Sequence, residues 1–116
     1  RKKIAIVRGD RGKRAVTHWR RLSIGREAAR VECRLETGRT HQVRVHMASI
    51  GHPLLGDPVY GRSNKNLREV LKQLNFHRQA LHAALLGFTH PVTKNRLSFE
   101  SPIPGDMQEL FTALGV

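Results

Sequence analysis

Residues 35–61 read LETGRTHQVRVHMASIGHPLLGDPVYG. Within them the hydrophobic period changes, and that change decides the fold. Val43, Met47 and Ile50 recur at i, i+4 and i+7, which predicts a helix over 40–50. Thr40 is the expected N-cap, with Gly38 relaxing the backbone before it. Residues 51–61 cannot continue that helix, because Pro53, Gly56, Pro58 and Gly61 break it. Upstream the period is two. ARVECRL (29–35) alternates Ala29, Val31, Cys33 and Leu35 inward against Arg30, Glu32 and Arg34 outward. AVTHWRRLSI (15–24) alternates partially and is rich in β-formers. With a turn at 25–27, the two predict an antiparallel hairpin whose outer face is studded with arginine.

Farther out, 4–7 is a short apolar run bounded by RGDRGKR, a turn with two glycines. Downstream, NLREVLKQL (66–74) predicts a short surface helix. Strands are expected at 80–88 and 97–100, joined by the turn HPVTKN. A final helix is expected at 106–114, behind Pro104 and Gly105, with Asp106 as N-cap. There are no internal repeats. The pattern predicts an α+β chain, mainly antiparallel sheet with helices packed on it, and 116 residues fit a single domain or part of one.

The net charge of +12 is unevenly placed. Residues 1–44 carry 14 Lys or Arg against four Asp or Glu; residues 45–116 carry seven against five. Of the 21 basic residues 15 are arginine, whose planar fork suits phosphate. A polyanion is the natural partner, nucleic acid before an acidic protein, with a merely solubilising surface as the alternative. Six aromatic residues are too few for a single-strand stacking platform, so phosphate and shape contacts are expected, weakening steeply with salt. No stretch approaches the ~18–20 apolar residues of a membrane span. No signal peptide is visible, and the single cysteine, Cys33, excludes an internal disulfide. Both fit a cytoplasmic setting.

The candidate site gathers at the predicted helix start. On a helix from Thr40, His41 and Arg44 share a face beside the apolar stripe. Arg44 therefore sits at the core's edge, where a guanidinium must be paired. Its partner is a catalytic carboxylate, a phosphate, or a structural carboxylate within the fold. Arg39 lies just before the helix, where free N–H groups favour anions. Glu36 is the acid nearest to this cluster in sequence, and a pairing role is expected of it. His41, His46 and His52 do not have the spacing of a metal site. The three aspartates read as turn or cap residues: Asp10 in a glycine turn, Asp57 bonding its own backbone before Pro58, and Asp106 at a helix start. The residues thus offer a site rim without an obvious reacting group.

Residues 35–61 resemble the TGRTHQIRVH…GHPLxGDxxYG signature of the RluA/RluC/RluD-type pseudouridine synthases. RQALHAALLGFTHPVTKNRLSFESPIPGDM (78–107) is similar to that family's carboxy-terminal portion. The resemblance runs from about Ala15 to Leu110. It implies part of a pseudouridine synthase catalytic domain: an isomerase acting on uridines of structured RNA, usually large-subunit ribosomal RNA, without cofactor or metal. It also implies that the basic residue of the QIRVH segment, here Arg44, pairs with the family's catalytic aspartate. Gly38, Arg39, Thr40, His41 and Gln42 match the rest of the motif and would shape the pocket or touch RNA, with Arg20 and Arg21 as further RNA contacts.

The HRLDxxTSG segment that carries the family's aspartate does not occur in this sequence, and Tyr60, the only tyrosine, belongs to the GDxxYG turn. The expectation is therefore a fragment from the carboxy-terminal half of a catalytic domain, inactive alone. The alternative is a non-catalytic basic RNA-binding module of the same fold. A fragment would leave sheet edges and apolar surface open, which predicts self-association.

Overall fold

The computed structural model describes residues 2–6, 14–37, 40–89 and 92–116. Eight elements follow in order: β1 (Lys2–Ile6), β2 (Ala15–Ile24), β3 (Ala29–Leu35), α1 (Gln42–Ser49), α2 (Lys65–Gln73), β4 (Leu85–Thr89), β5 (Arg96–Glu100) and α3 (Gly105–Leu114). β1, β2 and β3 form a three-stranded antiparallel sheet in that order, and β4 and β5 form a separate hairpin. This is the α+β fold, antiparallel throughout.

β2 and β3 take the bounds that the alternation predicts. Their register pairs Thr17 with Leu35, Trp19 with Cys33 and Arg20 with Glu32, and slips between Arg21 and Ser23. The expected inward face is only partly covered, however. Val31 and Cys33 are half-buried, but Ala29 is exposed, Leu35 is 48% exposed, and Ile24 opposite Ala29 is 63% exposed. α1 shields only the Thr17 end of that face. On the other face Arg30, expected outward, lies 4.7 Å above the Phe111 ring of α3.

The main apolar core is built by α2 and α3: Leu67, Leu71, Phe76, Met107, Leu110 and Leu114. α2 begins one residue earlier than expected because Asn64 accepts from the Leu67 amide at 2.9 Å, a side-chain cap. α3 also begins one residue early. Pro104 occupies its N-cap, and Asp106, in the first turn instead of the cap, holds Arg78 through two bonds of 3.0 and 3.1 Å. α3 ends at Gly115 (φ 72°), where Val116 N donates to Phe111 O. The Leu114 carbonyl accepts from Arg26 N at 2.8 Å, tying α3 to the β2–β3 turn.

The strand expected over 80–88 is shorter, starting at Leu85. Residues 80–84 are held singly instead: Ala80 N donates to Leu55 O, and Ser101 N to Ala84 O. β5 gains Arg96 at its start. The apolar run at 4–7 lies in β1 as far as Ile6. Val7, the glycine turn with Asp10, and His90 lie outside the described residues.

The chain exposes 8448 Å², whereas a compact globule of its mass exposes about 6,400 Å². Its radius of gyration is 15.8 Å, against about 13 Å for a compact chain of this length. Apolar side chains lie open on the hairpin face and on the β4–β5 hairpin, where Leu85 and Phe99 are also exposed. An excess of about 2,000 Å² is more than a standard interface takes from one partner, ~800 Å². Sedimentation of this chain at rising concentration is therefore expected to show association; a compact monomer at high concentration would remove the argument.

Candidate functional site

α1 lies between β2 and the turn-rich segment 51–61, and its buried residues are mostly polar: Gln42, Arg44, His46 and Met47. The predicted Val43/Met47/Ile50 stripe is thus only partly buried, with Met47 alone inside the core. The reason is that α1 is anchored by hydrogen bonds and an ion pair on two sides. Gln42 and His46, one turn apart, face β2; Arg44 faces the 51–61 turns.

On the β2 side Gln42 Nε2 donates to Val16 O at 2.9 Å and to Thr17 Oγ1 at 3.0 Å, while its Oε1 accepts from Thr37 Oγ1 at 2.7 Å. Thr37 Oγ1 in turn accepts from Val16 N at 3.0 Å. Thr17 Oγ1 lies 2.7 Å from Nδ1 of His46. Thr17 is fully buried and His46 nearly so. These bonds fix where α1 starts. The side-chain cap expected of Thr40 is not made. The N-cap is His41, in the left-handed region (φ 53°, ψ 28°) with no side-chain cap bond, and Thr40 is exposed before it.

On the other side Arg44 grips Asp57 side-on, Nε to Oδ2 at 2.8 Å and Nη2 to Oδ1 at 2.9 Å. The two side chains are 10% and 0% exposed. Asp57 also accepts from the amides of Val59 (2.9 Å) and Tyr60 (3.1 Å), the local turn bonding that its sequence suggests. The Arg44 hydrogen bond, then the two backbone amides, hold the Asp57 carboxyl far below the usual carboxylate range against the opposing effect of burial. The same hydrogen bond raises Arg44. The Tyr60 ring lies over the guanidinium, 5.4 Å from Cζ to centroid, and meets His41 edge-on at 6.4 Å. Gly61 closes the turn: its amide donates to Asp57 O at 3.1 Å, and a Cβ there would come within 2.3 Å of that carbonyl.

His41 lies at the N-cap and not on the helix face beside Arg44; the Tyr60 ring meets both residues, and Asp57 completes the group. Of the three partners weighed for Arg44, the one present is a carboxylate within the fold. The pair was hidden in the sequence by a separation of 13 positions, and its only signal was a helix-borne arginine followed by an aspartate in a tight turn. Glu36 pairs with His18. Gln42 is buried with its amide engaged inside the chain, so it fits a link between α1 and β2 and not a surface contact with RNA. Arg20 and Arg21 are both exposed but sit next to each other on β2, hence on opposite faces; Arg20 bonds Glu32 at 3.2 Å, its partner in the register. Arg39 and Gly38 lie outside the described residues.

The described residues thus form a basic α+β chain whose arginine-rich hairpin leads into a buried arginine–carboxylate pair. Comparison with known proteins identifies its family. Residues 2–49 match the family model for RNA pseudouridylate synthase. Ribosomal large subunit pseudouridine synthase D of Zymomonas mobilis is 60% identical over 114 residues, covering 98% of this chain and 36% of the relative. The protein of the same name from Vibrio cholerae is 54% identical, covering 89% and 33%. The uncharacterized RNA pseudouridine synthase YlyB of Bacillus subtilis is 52% identical, covering 89% and 31%. The chain belongs to the pseudouridine synthase family, and it spans about a third of the length of these relatives.

Proposed function

We propose that this chain is the carboxy-terminal part of the catalytic domain of an RNA pseudouridine synthase acting on large-subunit ribosomal RNA, and that Arg44 holds the catalytic aspartate of the whole enzyme. The observation that carries this is the grip on Arg44. Asp57 uses Nε–H and one N–H of Nη2. Nη1 and the second N–H of Nη2 form the other edge of the fork, which suits a second carboxylate end-on. A cation there would keep that aspartate ionised and oriented. The basic hairpin, with Arg20 and Arg21, and the rim residues Arg39, Thr40 and His41 contact RNA in this reading. No cofactor or metal takes part, the chain alone is inactive, and its compartment is the cytoplasm.

Tritium release from 5-tritiated uridine in a large-subunit ribosomal transcript tests this. The full-length protein carrying this segment is expected to release tritium, and the 116-residue chain none. Activity in the chain alone would place the chemistry elsewhere. A full-length protein that binds the transcript but releases nothing would favour the non-catalytic module.

A further inference from the structure

We infer that Asp57 and Tyr60 are positioning residues that set the plane and direction of the Arg44 guanidinium for the reaction. The inference rests on the function proposed above and deepens it. An arginine side chain has several rotatable bonds, and a fork used in catalysis must present one edge reproducibly. Here three constraints act on it. Asp57 takes the Nε/Nη2 edge side-on. Tyr60 places its ring face under the guanidinium carbon, 5.4 Å from centroid to Cζ. Asp57 and Tyr60 are themselves locked together, since the Tyr60 amide donates to the Asp57 carboxylate and Gly61 closes on the Asp57 carbonyl.

The remaining edge is thereby fixed by the turn rather than by α1. His41 meets the Tyr60 ring edge-on. His46 faces Thr17 on the β2 side of the helix and takes no part. One segment, 57–61, thus carries the carboxylate, the ring and the glycine that together aim a residue thirteen positions earlier.

The arrangement has an electrostatic consequence separate from stability. Asp57 shares its cation with the second carboxylate, and its negative charge opposes that group's ionisation. Removing the charge by Asp57→Asn should lower turnover by misaiming the fork, and also move the acid limb of the kcat profile to lower pH.

The test uses the full-length protein on a ribosomal transcript. Asp57→Asn is expected to lower kcat about 10- to 100-fold with KM nearly unchanged, and to move the acid limb down by about half a pH unit or more. Tyr60→Phe keeps the ring and should stay within about twofold of wild type, whereas Tyr60→Leu should lose about tenfold, since only the second loses the cation–π contact. The Tyr60 pair leaves no buried charge unpaired, so it remains informative if Asp57→Asn does not fold. An unmoved acid limb, with kcat falling only as the folded fraction falls, or equal rates for Tyr60→Phe and Tyr60→Leu, would overturn the positioning role. Wild-type turnover in Arg44→Ala would instead overturn the reading beneath it, and this inference with it.

Discussion

Arg44→Ala in the full-length protein is expected to reduce pseudouridine formation by about 10²-fold or more, the scale of losing one preorganised charged contact in an enclosed site, while RNA remains bound. The two halves of that expectation have different causes. In the proposed reading binding is carried by many basic side chains spread over the hairpin, so the loss of one guanidinium, itself only 10% exposed, removes little of it. In that reading turnover depends on an ionised, oriented carboxylate, and one guanidinium supplies both properties. Arg44→Lys separates them. Lysine keeps the charge but cannot bond Asp57 side-on and a second carboxylate end-on at once. An intermediate rate is expected from it, with the acid limb nearer to wild type than in Arg44→Ala. Wild-type turnover in the alanine variant would reduce Arg44 to a structural partner of Asp57.

What the sequence disclosed and what it hid follow from range. The β2–β3 hairpin was legible because alternation and turn chemistry are local, and both strands end where the pattern ends. Which of its faces is covered was not legible: the exposure of Leu35 and Ile24 depends on what lies over the sheet, which alternation within a strand does not encode. The position of α1 was legible from its period, but the character of its buried face was not. Gln42, Arg44 and His46 are buried because Thr17, Val16 and Asp57 meet them, and none of those pairings is local. Asp106 shows the same limit. Its place after Gly105 suggested a cap, whereas a guanidinium 28 residues earlier draws it into a pair. At Asp57 the local half of the reading, the bonds to Val59 and Tyr60, was available from the turn residues, and the functional half was not.

The second large effect is on stability, and it depends on pH in a definite direction. Asp57→Asn is expected to destabilise the chain by about 3 kcal/mol near neutral pH, the scale for breaking a buried ion pair by removing one partner. The folded-state value of Asp57 is depressed, principally by Arg44. The stabilisation is therefore fully present above the unfolded carboxyl value of about 3.9, and is lost as pH falls toward the lower folded value. Urea titrations of wild type and variant should show a constant gap from pH 8 to about 5 that narrows steadily below about pH 4. Asp106, whose carboxyl is likewise lowered by Arg78, contributes to the acid slope of both proteins and cancels in the difference. A gap that persisted unchanged into strong acid would mean that the asparagine harms the turn by its shape and not by its missing charge, and the electrostatic account of the Arg44–Asp57 pair would fall.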